Sequence, residues 1–257
     1  MLAVLFLDST RQIIKNKNMY KTKLLKKQDV AEGTMAFTVE KPAGFEFKAG
    51  QSIDLFLINP PETDAEGNKR AFSLVSAPQD PELMIATRMR DTAFKRVLKN
   101  LPEGTELDLD GPWGDLTLHN DTSKTAVFLV GGIGVTPFHS MVKDAALRKL
   151  LHKIVMFYSN RRPEDAAFLS ELTELQQQNP NYKLVATMTE MDKSQQPWSG
   201  ETGYITGEMV KKYLGDALNS SIYYIAGPPA MVAAMRKLAN EIGINDDYIK
   251  TEEFVGY

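Results

Sequence analysis

The sequence predicts two domains in series, an antiparallel β-barrel over residues 19–118 and an α/β domain with a parallel sheet over residues 119–257. Three observations carry this. From Tyr20 to Leu118, short apolar runs are cut by turn residues at intervals that suit a barrel or sandwich. From Asp121 onward, strand-like runs alternate with helical ones, the pattern of a parallel sheet flanked by helices. Within the second half stands Val130-Gly131-Gly132-Ile133-Gly134-Val135-Thr136-Pro137-Phe138, a glycine turn joining an apolar strand to a helix.

In order, residues 1–18 read as a leader or extension, with Leu2–Leu7 too short for a signal core and no basic segment before it. Strands are expected at Lys21–Leu25, Thr34–Val39, Ser52–Leu57, Ala71–Ser76 and Leu83–Thr87. Glu32-Gly33, Pro42-Ala-Gly44, Pro60-Pro61, Ala77-Pro78 and Pro102-Glu-Gly104 mark the turns, and Pro60–Asn68 reads as a protruding polar loop. One helical pattern, Thr92–Asn100, interrupts the strands. In the second half, strands at Thr125–Val130, Lys153–Tyr158, Leu184–Thr187 and Ile222–Ile225 alternate with helices at Thr136–Leu151, Glu164–Gln177, Glu208–Tyr213 and Pro229–Ile242.

The chain has 257 residues, 43% of them hydrophobic, enough for a sizeable core. A net charge of −3 gives no argument for nucleic acid. Without cysteine, this chain can hold no disulfide, catalytic thiol or cysteine-ligated iron–sulfur cluster. His119, His139 and His152 are too scattered for a metal site, and none is expected. No run reaches the ~18 apolar residues of a membrane span, and the expected location is the cytoplasm.

The glycine turn has the chemistry of a phosphate site. Glycines admit an anion close to the backbone, the first helical N–H groups lack internal partners, Thr136 adds a hydroxyl, and Pro137 suits a first turn. The same turn also serves as a tight connection. Arg70-Ala71-Phe72-Ser73 lies on a strand, with Arg70 and Phe72 on one face and Ser73 on the other. Asp91 or Thr92 caps the helix that continues Ala93-Phe94-Lys95.

Arg70-x-Phe72-Ser73, Gly131-Gly-x-Gly-x-x-Pro137, Gly227-Pro228-Pro229-Ala230-Met231 and Glu252-x-Phe254 occur in one order and at one spacing. With Gly50-Gln51 and Gly111-Pro112-x-Gly114, they resemble the ferredoxin–NADP⁺ reductase-like flavoproteins from Tyr20 to Tyr257. The resemblance implies a flavin between the barrel and a nicotinamide-nucleotide domain. FAD is expected, with FMN as the alternative. Arg70 would hold the flavin pyrophosphate, Ala71 and Phe72 would line the ring, and Ser73 would donate near N5. Thr92, Ala93, Phe94 and Lys95 would form a second flavin-phosphate site, Lys95 standing where relatives carry serine. Gly131, Gly132, Gly134, Thr136 and Pro137 would face the nucleotide, as would Gly227, Pro228 and Met231. Ala226 replaces a cysteine common in relatives. Glu252 and Phe254 match the family's terminal pair beside the flavin, and Ser73, Glu252 and Phe254 are the expected catalytic residues. The Val255-Gly256-Tyr257 extension leaves either Phe254 or Tyr257 against the ring.

After the second parallel strand comes Ser159-Asn160-Arg161-Arg162, with no carboxylate before Glu164. Ser159, with Arg161 or Arg162, is therefore expected to bind a 2′-phosphate and favour NADPH, NADH remaining possible. The alternative leaves one or both arginines solvated after the strand, or pairs them with Glu164 and Asp165. The expected activity is hydride exchange between NAD(P)H and FAD, with electrons passing to or from a separate ferredoxin, flavodoxin or oxygenase component. Two other readings stand beside it: reduction of a small molecule such as free flavin, a quinone or a ferric chelate, and a non-catalytic redox-sensing module. Oligomeric state is not read from the sequence.

Overall fold

The computed structural model describes residues 19–254, so the expected leader at 1–18 and Tyr257 lie outside the described residues. The first half contains β1 (Tyr20–Ala31), β2 (Thr34–Glu40), β3 (Ser52–Leu57), β4 (Lys69–Ser73), β5 (Glu82–Arg88), α1 (Ala93–Asn100) and β6 (Glu106–Trp113). These strands form one antiparallel sheet in the order β4-β3-β6-β1-β2-β5. Just past β4, Leu74 bridges Ile85 and the Val75 N–H reaches the Met84 carbonyl at 2.8 Å, which joins the two edges into a barrel. Inside lie alternating side chains such as Leu24, Phe37, Ile53, Leu55, Leu107 and Leu109, all fully buried. Helix α1 closes one end with Phe94, Val97 and Leu98.

The second half contains β7 (Ala126–Gly131), α2 (Thr136–Leu147), β8 (Ile154–Asn160), α3 (Leu169–Gln178), β9 (Tyr182–Met188), β10 (Glu201–Thr202), α4 (Gly207–Leu214), β11 (Ile222–Gly227), α5 (Pro229–Glu241) and β12 (Ile249–Glu253). Its sheet is parallel throughout, in the order β10-β9-β8-β7-β11-β12. β7 is buried along its whole length, as its unbroken apolar run requires of a central strand covered on both faces.

Three expectations shift. The second helix stops at Leu147 rather than Leu151, because Lys149 takes a left-handed conformation with φ +53°. The third begins at Leu169 rather than Glu164. Pro163–Asp165 form a separate 3₁₀ turn, and Phe168, buried with φ +59°, breaks the path between the two. The fourth barrel strand ends at Ser73 instead of Ser76, the chain bending there to close the barrel. Strands β6, β10 and β12 were not anticipated. Among the described residues, no helix is long and apolar enough to cross a membrane.

Candidate active site between the two sheets

The C-terminal ends of the parallel strands open onto a cavity of about 360 Å³, where α/β sheets ordinarily take ligands. Gly131, Gly132 and Ile133 line it from the turn after β7, and Ser159 and Arg161 from the end of β8. Pro228 and Met231 line it from the turn after β11. A Cβ on Gly131 would lie 2.0 Å from the Met231 sulfur, so the glycine lets these two turns meet.

The other residues expected at this turn sit behind the cavity wall. Gly134 faces the β11 backbone, where a Cβ would lie 2.7 Å from the Ala226 carbonyl oxygen. Thr136 is buried, and its hydroxyl donates to the Ile133 carbonyl at 3.2 Å. Pro137 is buried in the first turn of α2, and Gly227 packs beside Gly131.

The two arginines after β8 separate. Arg161 is half exposed on the cavity, its nearest acidic partner being Asp165 at 3.5 Å. Arg162 turns away: its Nε donates to Asp165 Oδ2 at 2.9 Å and its Nη2 to Glu32 Oε2 at 2.7 Å. These arginines hold the Asp165 carboxyl below the ordinary aspartate range against the opposing effect of its burial. Glu164 serves elsewhere, accepting from Ser194 and the Gln195 amide.

Among the cavity residues that sequence reasoning missed are the polar Asn160, Glu190 and Tyr204. Asn160 is buried and its amide nitrogen has no acceptor among the described residues. Glu190 is held by Lys193 at 2.9 Å, and that hydrogen bond lowers its pKa. The Tyr204 ring is 77% exposed beside the cavity, the highest exposure of the large apolar side chains. Only Asn160, inside Ser159-Asn160-Arg161, had a positional signal.

A second cavity, also about 360 Å³, lies against the barrel. Arg70, Ala71 and Phe72 line it from β4, Thr92 and Lys95 from the head of α1, and Phe254 from the end of the chain's other sheet. Ala93 and Phe94 are buried beneath it; the Phe94 ring packs 6.0 Å from that of Phe72 and carries the Arg70 guanidinium at 5.2 Å. Thr92 caps α1 by accepting from the Lys95 N–H, while Asp91 pairs with Arg96. The Lys95 ammonium donates to the Arg88 carbonyl at 2.8 Å, and burial followed by the nearby Arg90 and Arg70 charges lowers its pKa.

The two cavities meet at Ile133 and Arg88, which line both. β12 brings the C-terminal segment to the barrel. Ser73, buried on β4, donates to Glu252 Oε1 at 3.4 Å. Burial raises the Glu252 carboxyl above the ordinary glutamate range, the Ser73 hydrogen bond opposing it. The Phe254 N–H is anchored on the Gly227 carbonyl at 3.0 Å. Of the expected trio, Ser73 and Glu252 are thus drawn together from the two sheets, Glu252 lining a third cavity with Gly50 and Ser52, while Phe254 lines the barrel cavity.

The family model described as an oxidoreductase NAD-binding domain matches residues 128–237. The ferredoxin NADP⁺ reductase of Neisseria gonorrhoeae, solved with bound FAD and NADP, superposes with a TM-score of 0.74 at 23% identity, covering 92% of this chain and 98% of that one. The chain thus shares the two-domain fold of that reductase. Two curated relatives are longer than the part that this chain matches. The reductase subunit of glycine betaine monooxygenase from Chromohalobacter salexigens is 29% identical over 86% of the chain, which spans 60% of that protein. A subunit of the Na⁺-translocating NADH-quinone reductase of Methylococcus capsulatus is 32% identical over 61% of the chain, and the match spans 39% of that subunit.

Proposed function

We propose that the protein is an NAD(P)H-dependent flavin reductase that passes electrons to a separate acceptor protein, such as an oxygenase component, a ferredoxin or a flavodoxin. The observation that carries this reading is the junction of two cavities at Ile133 and Arg88, one ending in nucleotide-type strand termini and one in a cationic barrel pocket. The residues present fit both groups. The unpartnered Asn160 amide supports a polar ligand in the first cavity. In the second, Arg70 already holds a carboxylate at 2.9 Å, the contact a phosphate would make.

Flavin supplies the chemistry when bound, taking two electrons as hydride and releasing them singly. The chain's residues do the positioning. Arg70, Thr92 and Lys95 would hold the FAD phosphates, and Phe72 and Phe254 would bracket the pocket and exclude water. Ser73 keeps a hydroxyl proton on a buried oxygen, and Glu252 is the acceptor that orients it. Burial shifts Glu252 toward its protonated form, which gives the carboxyl a proton to share with the Ser73 hydroxyl.

For the nucleotide, Ser159 and Arg161 on the cavity support NADPH, whereas Arg162 is committed to Asp165 and Glu32. Glu190 weighs on the other side. It is a carboxylate just past a strand end, kept ionised by Lys193, and such a group bonds free ribose hydroxyls and repels a 2′-phosphate. We take NADH as the better substrate, a choice also supported by the NADH-quinone reductase among its relatives. Reduction of the flavin spectrum by each nucleotide, followed by steady-state reduction of carrier proteins against ferric chelate and free flavin, tests the proposal. A preparation that binds no flavin ends it. Higher kcat/KM with NADPH, unchanged in E190Q, overturns the nucleotide assignment. Faster turnover with small acceptors than with any carrier overturns the assignment of the partner.

A further inference from the structure

The Arg70 guanidinium lies in the proposed flavin pocket, yet its terminal donors are already taken. Its Nη2 donates to Asp64 Oδ1 at 2.9 Å and lies 2.9 Å from Glu66 Oε2. Its Nη1 faces the carbonyls of Glu66, Gly67 and Lys69 at 3.1, 3.2 and 2.7 Å. Four terminal N–H groups thus meet five acceptors, leaving no terminal donor for an incoming anion. Asp64 also lies at the head of α1. Its carboxyl is held below the ordinary aspartate range by Arg70 first, then by the Glu66 and Ala93 amides. The chain's own carboxylate therefore sits between the pocket arginine and the first amide of α1, where the flavin phosphates were expected. The segment that carries it hangs on a separate tether, Arg96 pairing with Glu62.

We propose that Asp64 is an internal counter-anion of the flavin phosphate subsite, which the flavin diphosphate must displace from Arg70. The inference rests on the flavin reading above. Binding then exchanges one anion for another at the same guanidinium, so the free energy of the arginine–phosphate contact is offset by loss of the arginine–aspartate one. Glu66, 73% exposed, is the weaker partner. A flavin without phosphate has no claim on Arg70 and should not sense Asp64.

The full-length protein, freed of flavin, is titrated with FAD and with riboflavin, and its thermal shift with inorganic pyrophosphate is recorded, for wild type, Asp64→Asn and Asp64→Ala. The expected result is FAD affinity about three- to tenfold tighter in both variants, the range of a partly exposed ion pair removed. Riboflavin affinity should be unchanged, and the pyrophosphate-induced shift larger in the variants than in wild type. Equal or weaker FAD binding in both variants overturns the proposal and makes Asp64 a group that orients Arg70. If wild type binds neither flavin, the flavin reading falls. The pyrophosphate arm then decides: a larger shift in the variants upholds occupancy of the subsite by Asp64, and an equal shift refutes it.

Discussion

Gly134 and Gly131 lie in one glycine turn, and the structure predicts opposite consequences for adding a methyl group to each. A Cβ on Gly134 would stand 2.7 Å from the Ala226 carbonyl oxygen and 2.8 Å from both the Ala226 carbonyl carbon and the Gly227 Cα. All three are backbone atoms of β11, which is paired with β7 on one side and β12 on the other. To recover ordinary contact, the turn and the strand must part by roughly 0.6 Å inside a close-packed core. Gly134→Ala should therefore cost about 2–3 kcal/mol and lower Tm by roughly 4–12 °C. On Gly131 the new Cβ meets the sulfur of Met231, the far part of a flexible side chain, at 2.0 Å. Met231 can swing aside, but it lines the nucleotide cavity. Gly131→Ala should cost about 1 kcal/mol or less and raise the nucleotide KM several-fold. Urea and thermal unfolding together with nucleotide KM measure both. A stable Gly134→Ala, or a Gly131→Ala that unfolds more easily than it, would refute the division of the turn into a packing glycine and a cavity glycine.

The neighbouring arginines should divide in the same way. Arg162→Ala should lower Tm by several degrees, since it strips the main partner from the nearly buried Asp165 carboxylate, whereas Arg161→Ala should leave Tm nearly unchanged and raise nucleotide KM about tenfold; the two Tm values and the two KM values check this. Arg70→Ala should weaken FAD binding at least about tenfold with little loss of apoprotein stability, measured by FAD titration and by thermal unfolding without flavin. Glu252 gives a pH signature. Its folded pKa is raised by burial above the 4.5 of the unfolded chain, so its ionisation opposes folding. That penalty is absent below the unfolded value and grows as pH rises through the folded one. Glu252→Gln should be more stable than wild type at neutral pH, the difference closing below about pH 4.5 in a pH series of unfolding curves.

Chain-order signals made the architecture legible: turn residues at short intervals in the first half, alternation of strand and helix in the second. What failed did so for local reasons. Pro163 marks a helix start in sequence, but Arg162 draws Asp165 inward and the backbone forms one 3₁₀ turn before Phe168 breaks it. Strand β12 has the pattern Ile249-Lys-Thr-Glu-Glu253, too polar to announce itself, and it is a strand because β11 offers it an edge. The site divides similarly. Ser73 and Glu252 are 179 residues apart, and only the resemblance, not periodicity or spacing, suggested that they meet. Arg161 and Arg162 are equivalent as letters. Arg162 has an extended backbone, so successive side chains point opposite ways, and which one faces the cavity depends on where Glu32 of the barrel lies. Glu190 and Tyr204 belong to segments that look like ordinary loops, and they gain meaning only because β8, β9 and β11 end at one level.

The junction of the two cavities is built by the same helix that binds the domains together. Ile133, which lines both cavities, lies in the turn that leads into α2. His139, Ser140, Lys143 and Asp144 follow on one face of that helix. The His139 Nδ1 meets the Val75 carbonyl at 2.9 Å, and the Ser140 hydroxyl donates to the Ser76 carbonyl at 2.6 Å. Lys143 pairs with Asp80 at 2.7 Å, and Gln79 donates to Asp144 at 2.8 Å. These partners come from the segment whose Val75 N–H closes the barrel against β5. A second fastening joins the β1–β2 turn to the other domain, through the Glu32 N–H on the Glu164 carbonyl at 2.8 Å and through Arg162. With polar fastenings at two separate places, moving one domain relative to the other would break these contacts and leave the buried His139 and Ser140 without their barrel acceptors. The meeting of the two cavities is therefore fixed by folding. The Arg162 pair belongs to that fastening, which is why its loss should register in stability before it registers in nucleotide binding.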